Sequence, residues 1–132
     1  MRDVRTIAAT LLVALVAPAF VVGWAGGVSE QIEDVLETLD DYPLEKVVIG
    51  RLGNGDDTSW SIGLDQRDDY VVIGVCDYDC DDIDLCANGK CDKDRDALPF
   101  VEVDDTRSIE IEVSMYKCDF SFCFYAVVIL RN

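Results

Sequence analysis

Histidine is absent from this chain of 132 residues, and that absence excludes several kinds of site. Without an imidazole, neither a Ser-His-Asp triad nor a Cys-His pair can form, so the common nucleophilic hydrolases are excluded. No Cys-x2-Cys pair of a zinc knuckle occurs, and no Gly-x4-Gly-Lys phosphate loop occurs. We therefore predict no catalytic residues.

Basic residues are scarce as well, with 11 Lys and Arg against 27 Asp and Glu and a formal net charge of −16. This charge repels phosphate backbones and anionic lipid headgroups, so neither a nucleic-acid partner nor a membrane partner of the mature chain is expected. Hydrophobic residues nevertheless make up 50% of the chain, which is far more than a disordered acidic tail contains. The length suits one domain with its own core.

The first 25 residues have the features of an export signal. Two early arginines precede an uncharged, mostly apolar stretch at 6–23, and small residues surround a cleavage position at Ala25. An uncleaved anchor is the alternative, because about 18 apolar residues can just span a bilayer. Pro18 and the lack of basic residues directly after the stretch favour cleavage. Residues 1–25 are therefore predicted to be a signal peptide, and the mature protein is expected in the periplasm or outside the cell.

The period of the hydrophobic pattern changes near residue 46. Apolar side chains recur at helical spacing over residues 28–42, with Ser29 as the expected N-cap, so the segment 26–45 is predicted to be helical. After it, apolar runs are separated by turn signals every ~8–12 residues. The predicted strands are 47–50, 60–64, 70–75, 83–85, 98–103, 109–115 and 122–130. Residues 46–132 are thus predicted to form an antiparallel β-sandwich of seven or eight strands.

Six cysteines lie between residues 76 and 123, which agrees with an oxidising compartment. Asn88-Gly89 is a strong two-residue hairpin signal, because both positions favour positive φ. A turn there makes Cys86 and Cys91 direct cross-strand neighbours. The other four cysteines form two similarly close pairs, although six cysteines allow 15 connectivities. The preferred pairing is Cys76–Cys80, Cys86–Cys91 and Cys118–Cys123.

Cysteine alternates with aspartate where a predicted strand ends, in the segment Val75-Cys76-Asp77-Tyr78-Asp79-Cys80-Asp81-Asp82-Ile83-Asp84-Leu85. This segment resembles small exported bacterial proteins akin to the bacterial pre-peptidase C-terminal domain, and a looser similarity extends over residues 47–130. The resemblance implies an exported, non-catalytic β-sandwich of the jelly-roll kind, associated with calcium in some relatives. The additional pair Cys86 and Cys91 departs from that pattern, so the resemblance supports the fold more than any ligand.

Four carboxylates in this segment, those of Asp77, Asp79, Asp82 and Asp84, are the candidate ligands of a cation site. Carboxylate oxygens are the hard ligands that Ca²⁺ prefers, and crowded carboxylates repel one another unless a cation neutralises them. No lysine or arginine lies between residues 68 and 89. A calcium site is therefore one hypothesis, and a solvated acidic edge without metal is the other.

Most aromatic side chains fall on predicted strands and are expected in the core. Phe120 and Phe122 are exceptions, because they lie within the predicted Cys118–Cys123 loop, where a disulfide would hold their rings rigid. Small exposed apolar clusters of this kind mark contact sites in some proteins. Phe120 and Phe122 are therefore the candidate ligand contacts.

These observations predict an exported, non-enzymatic β-sandwich that binds or supports an unidentified macromolecule of the cell envelope or extracellular space. A calcium-dependent ligand-binding module is the alternative. A small acid/base hydrolase is a third hypothesis, because paired carboxylates can cleave glycosidic bonds, yet nothing in the sequence singles out two of the 27 acidic residues.

The export signal makes a direct prediction about mass. We expect protein recovered from its native host to begin at or near Gly26, because cleavage follows the small residues at the end of the apolar stretch. Intact-mass spectrometry of the exported fraction measures this. Recovery of the chain from a membrane fraction with Met1 to Ala25 still attached would contradict cleavage and favour the anchor.

Overall fold

The apolar runs that begin at residue 44 form strands, and the amphipathic segment before them forms a helix. The computed structural model describes residues 26–94 and 97–132, so the predicted signal peptide 1–25 lies outside the described residues. The elements are helix α1 (Gly26–Thr38) and strands β1 (Leu44–Gly53), β2 (Asp57–Cys76), β3 (Cys80–Ala87), β4 (Lys90–Asp92), β5 (Phe100–Cys118) and β6 (Phe122–Arg131). Within these residues, no helix has the length and apolar character needed to cross a membrane.

The six described strands form one antiparallel sheet in the order β1-β6-β2-β5-β3-β4. β2 and β5 are the long strands, with 20 and 19 residues, and they pair with each other in both of their halves. β6 pairs with the C-terminal half of β2, whereas β3 pairs with the C-terminal half of β5. Because β2 and β5 run antiparallel, β6 and β3 join opposite ends of this pair.

The β2–β5 pair is irregular at its middle. The register shifts between Gly63 and Tyr70 on β2, opposite a part of β5 in which Asp105 has a φ of 48°. Arg67 Nη1 donates a hydrogen bond to Asp105 O at 3.0 Å, and Asp69 Oδ1 accepts one from Asp105 N at 2.8 Å. Bulges of this kind bend a strand and increase its twist. The sheet therefore changes direction at a polar corner without breaking its ladder.

Both halves of the bent sheet contribute to one core. A single cluster of buried side chains includes Val72 and Val127 from the end where β6 pairs and Ile111 and Met115 from the end where β3 pairs. Burying an aliphatic side chain of this size is worth roughly 1.5–3 kcal/mol. Burial of this cluster, to which both halves of the sheet contribute, therefore stabilises the fold strongly.

The number of strands differs from the seven or eight that the sequence predicted. Predicted strands 60–64 and 70–75 are parts of β2, and predicted strands 98–103 and 109–115 are parts of β5. The polar residues between them stay within the strands, although Asp68 is the paired residue among β2 residues 65–69, because a bulge accommodates unpaired residues in one strand of an antiparallel pair. The mainly β, antiparallel class with one helix is confirmed for the described residues, and the jelly-roll sandwich stays a prediction.

Helix α1 covers the outer face of the sheet where β2 and β6 pair. Its apolar stripe forms a second buried cluster with outward-facing residues of those strands, among them Val71, Ile73, Val128 and Leu130. The helical residues of this cluster are Val28, Ile32, Val35 and Leu36. β6 and the part of β2 from Tyr70 to Cys76 are therefore buried on both faces, which explains why these sequences are continuously apolar.

The ends of α1 differ from the predicted span of residues 28–42. The helix ends at Thr38, and a turn follows in which Tyr42 N donates to Leu39 O at 3.0 Å. Pro43 then leads into β1, since proline disfavours helical backbone in the residue before it. Ser29 lies inside the helix, and in the described part of the chain its buried Oγ has no hydrogen-bond partner. The prediction that Ser29 is the N-cap is therefore wrong.

Three disulfides join consecutive cysteines, as Cys76–Cys80, Cys86–Cys91 and Cys118–Cys123. These are the pairs that the sequence favoured. Asn88 and Gly89 have φ angles of 49° and 83°, which is the backbone that the predicted hairpin turn requires. The turn places Cys86 directly opposite Cys91, with their Cα atoms 4.0 Å apart.

Two of these disulfides allow a matched comparison of stability, because Cys86–Cys91 and Cys118–Cys123 have the same sequence separation of 5. Their loop-closure entropies are therefore equal, and the Cys86→Ala, Cys91→Ala variant should lose about 2 kcal/mol of unfolding free energy. Cys118 and Cys123 are also buried, at 5% and 1% exposure, whereas Cys91 is exposed. Their double alanine variant should lose at least ~1 kcal/mol more, because removed buried atoms leave a cavity.

Guanidinium denaturation of both double variants under non-reducing conditions measures this difference. Equal losses would show that burial of the Cys118–Cys123 sulfur atoms adds nothing to the entropic effect.

Candidate functional site

Three turns lie close together in the fold, and we call them the turn cluster: residues 54–56, 77–79 and 119–121. They connect β1 to β2, β2 to β3 and β5 to β6. Asn54 Oδ1 accepts a hydrogen bond from Cys118 N at 3.1 Å, and Asp79 O accepts one from Asp119 N at 2.8 Å. Cys80 is the cross-strand partner of Cys118, so the two disulfide-closed turns lie side by side.

Asp77 joins the second turn to strand β6. Its backbone N–H donates to Phe124 O at 3.1 Å, and its Oδ2 accepts from Phe124 N at 2.8 Å. Its Oδ1 accepts from Asp79 N at 3.1 Å, which closes the turn on itself. The residue is only 9% exposed. Asp77 therefore acts as a structural acceptor that satisfies two backbone donors at the end of the sheet.

A pocket of about 320 Å³ opens between the two disulfide-closed turns. The Phe122 and Phe124 rings meet edge to face with centroids 5.6 Å apart, and the Phe120 ring beside them is 63% exposed. Arg51 from β1 places its guanidinium carbon 5.1 Å from the centre of the Phe122 ring. The pocket is lined by Asp77, Asp79, Phe120, Ser121, Phe122 and Phe124. The two predicted ligand-contact residues, Phe120 and Phe122, are thus brought together with Asp77 and Asp79.

The other two predicted cation ligands lie on β3, away from this pocket. Asp82 is the cross-strand partner of Lys117 on β5, and the two line a second pocket together with Asp81 and Tyr116. Asp84 is opposite Ser114 and is buried to 6% exposure, although it was expected on a solvated face.

Asp77 and Asp79 are therefore the two predicted cation ligands that meet in one pocket. Among residues 26–94 and 97–132, no group of three acidic or cysteine side chains converges as a metal ion requires. Calcium stays a prediction, with two neighbouring carboxylates here in place of four.

Lys117 is a residue that the sequence argument missed. The local window between residues 68 and 89 contains no cation, but the register of β3 on β5 brings Lys117 opposite Asp82. Irregularities in that register, on both sides of Asp82, determine which residue it faces. No local signal in the sequence gives this pairing.

The second turn also contacts helix α1. Tyr78 Oη donates to the Glu30 carboxylate, and Gln31 Nε2 donates to Cys76 O. The hydrogen bond to Glu30, with a smaller contribution from desolvation, raises the pKa of Tyr78 above its ordinary value. A Cβ added at Gly27 would lie 2.9 Å from the Tyr78 ring, so glycine permits this close approach. The turn cluster is thus tied to the helix as well as to the sheet.

A third cavity, an apolar groove of about 380 Å³, lies between α1 and the segment that precedes β5. Its walls include Val35 and Leu39 from the helix and Ile73 from the sheet. Leu98 and Phe100 lie along it and are 51% and 45% exposed. Both residues fall within the strand predicted for 98–103. The alternation of apolar and polar residues in that segment does not by itself show that Leu98 and Phe100 face outward.

Comparisons with known proteins give no family for this chain. No protein-family model matches it, and no curated protein matches it. The resemblance to the pre-peptidase C-terminal domain therefore stays a prediction.

Three solved structures align with the chain at low similarity. A de novo designed double-stranded β-helix has a TM-score of 0.42 and 7% identity, covering 64% of this chain and 97% of the designed one. PliG of Aeromonas hydrophila, a periplasmic inhibitor of g-type lysozyme, has a TM-score of 0.42 and 9% identity, with coverages of 67% and 87%. The carbohydrate-binding module CBM36, solved with calcium and xylotriose, has a TM-score of 0.30 and 14% identity, with coverages of 68% and 92%. Likenesses this distant carry no argument about function.

The role of Asp77 can be tested with a nearly isosteric change. In Asp77→Asn, one carboxylate oxygen becomes an NH₂ group that faces a backbone N–H donor, so one buried donor loses its acceptor. We expect a loss of about 1–3 kcal/mol in unfolding free energy. The matched control is Asp81→Asn, since Asp81 is exposed and should change stability by less than ~0.5 kcal/mol. Urea denaturation measures both, and an Asp77→Asn variant as stable as the control would refute the structural role.

Proposed function

We propose that this chain is an exported, non-catalytic binding protein whose turn-cluster pocket contacts a macromolecule of the cell envelope or extracellular space. The observation that carries the proposal is the pocket itself. Adjoining apolar side chains with polar groups around them are typical of contact sites, and here Phe120 is 63% exposed beside two further rings and two carboxylates. We take the fold to be the folded-over, sandwich-like arrangement in which two half-sheets enclose one core.

Rigidity of the pocket supports a role in binding. Both turns that form it are closed by disulfides, and the two are linked through Asp77 and through the Asp79–Asp119 backbone bond. A side chain that is already held in place loses little conformational entropy when a partner binds. A preformed, partly aromatic pocket with a few polar groups is the usual form of a ligand site.

The chemistry of the pocket argues against hydrolysis. Its two carboxylates come from Asp77 and Asp79, and both oxygens of Asp77 already accept backbone N–H donors. A general acid must give up and recover its proton during turnover, and such a change at Asp77 would weaken the bonds that hold the turn. The chain contains no histidine that could take over this role.

The location outside the cytoplasm is supported by the disulfides. Three bridges in a domain of this size are typical of an oxidising compartment. The formal charge of −16 disfavours nucleic acid and anionic lipid as partners. We therefore propose a protein or polysaccharide partner in the periplasm or outside the cell.

A capture experiment with matched variants tests the proposal. The disulfide-intact wild type, Phe120→Ala and Tyr116→Ala are immobilised and exposed to envelope and culture-medium fractions of the host. Tyr116 is the control, because it is 59% exposed but lies away from the pocket. We expect wild type and Tyr116→Ala to retain the same partner, and Phe120→Ala to retain at least about tenfold less, as expected for a central aromatic contact.

The same experiment tests the absence of catalysis. The partner eluted from wild type after prolonged incubation should have an unchanged mass. Cleavage products would contradict a purely binding role, and equal retention by Phe120→Ala would contradict the choice of pocket.

A further inference from the structure

We infer that the turn-cluster pocket receives a cationic side chain, arginine or lysine, from a basic protein partner. This inference rests on the proposed function and specifies its ligand. Three observations support it. A guanidinium of the chain itself lies against one ring of the pocket, carboxylates outnumber cations around the pocket, and another ring of the pocket is exposed to solvent.

Arg51 shows that the aromatic wall accepts a guanidinium. Its guanidinium carbon lies 5.1 Å from the centre of the Phe122 ring, within the ~6 Å at which a cation is attracted to the face of an aromatic ring. Phe124 meets Phe122 edge to face, which fixes the orientation of that ring. Phe120 offers a second ring that is 63% exposed. The pocket therefore has aromatic surface of the kind that already binds one arginine of the chain.

Charge around the pocket favours a cation over a neutral ligand. Asp77 and Asp79 line the pocket, and Asp119 is exposed on the adjoining turn. Among the described residues, the lining of the pocket contains these two carboxylates and no lysine or arginine, and Arg51 on β1 contacts one of its rings, so carboxylates are in excess. A formal charge of −16 on the whole chain adds long-range attraction for a basic protein. A neutral sugar would gain nothing from this field.

The arrangement of groups matches the shape of a guanidinium. Its flat face stacks on an aromatic ring, and its edge donates to carboxylate oxygens. In the pocket, Phe120 supplies ring surface, and the half-buried Asp79 supplies a carboxylate in the lining. Lysine can use the same rings and carboxylates as a point charge, so both basic side chains are included.

Arg51 would then compete with the incoming cation for the Phe122 ring. Removing Arg51 should therefore change the affinity for the ligand in a direction that can be stated in advance. A cation that enters the pocket is repelled by Arg51, which is exposed and lies against the Phe122 ring. Arg51→Gln should therefore bind an arginine ligand more tightly, whereas Asp79→Asn should bind it more weakly. A neutral sugar that uses Arg51 as a hydrogen-bond donor would show the opposite effect for Arg51→Gln.

The test uses the disulfide-intact protein and two-dimensional ¹H–¹⁵N NMR. The probes are the peptide acetyl-Gly-Arg-Gly-amide, the same peptide with citrulline in place of arginine, and the neutral sugars xylotriose and chitotriose. Citrulline keeps the shape of arginine and removes its charge. We expect the arginine peptide to shift the amide signals of residues 77–79 and 119–124 saturably. The citrulline peptide should bind about tenfold more weakly, because the cation–π attraction and the charge assistance of the hydrogen bonds to carboxylates are lost.

The affinity of the arginine peptide should also depend on salt and on the two substitutions. Raising NaCl from ~0.05 M to ~0.5 M should weaken the arginine peptide several-fold, because exposed charges are screened. Asp79→Asn should weaken it and Arg51→Gln should strengthen it, each by a few-fold, with the wild-type spectrum otherwise preserved as evidence of folding.

Three outcomes would overturn the inference: equal binding of the citrulline peptide, no shift at the pocket with the arginine peptide, or pocket shifts with a sugar alone. The last of these leaves the proposed binding function in place and changes only its ligand. Failure of the proposed function is a separate result, namely unchanged partner capture by Phe120→Ala.

Discussion

Pairing of β2 with β5 is the constraint on which the other parts of the structure depend. These strands of 20 and 19 residues are too long to bury one face in a flat sheet of this size, so the pair bends where the register shifts between Gly63 and Tyr70. Residues from the β6 side and from the β3 side belong to one buried cluster. The pairing also sets where the strands end. The C-termini of β2 and β5 carry Cys76 and Cys118, and the turns that follow these residues adjoin each other because β3 and β6 return beside them.

The position of the pocket follows from this topology, and its rigidity follows from the polar groups in the turns. Each turn that leaves a sheet end has backbone N–H and C=O groups that the ladder no longer satisfies. Asp77 and Asn54 accept the N–H groups of Phe124 and Cys118, so side chains of two turns complete the hydrogen bonding of their neighbours. The disulfides reduce the remaining freedom. As a result, the Phe122–Phe124 ring pair and the exposed Phe120 ring are held in one pocket with carboxylates beside them.

Local features of the sequence predicted local features of the structure. The three cysteine pairs and the Asn88-Gly89 turn depend on residues a few positions apart, and the helix depends on a period that is visible within one segment. Long-range register was not accessible in this way. Three features of the structure depend on residues that are distant in the chain. β2 continues through its polar middle, Lys117 lies opposite Asp82, and the Phe124 N–H donates a hydrogen bond to Asp77. For the site, the sequence identified four of the six lining residues, Asp77, Asp79, Phe120 and Phe122, but assigned the two pairs to different functions.

The consecutive order of the disulfides has a consequence for how the chain matures. Every bridge links a cysteine to the next one along the sequence, with separations of 4, 5 and 5. When a polypeptide enters an oxidising compartment with its N-terminus first, both cysteines of each pair are exposed to the oxidant before the next pair enters. Correct partners are then always the nearest available thiols, so native bridges form without reshuffling, and dependence on a disulfide isomerase should be slight.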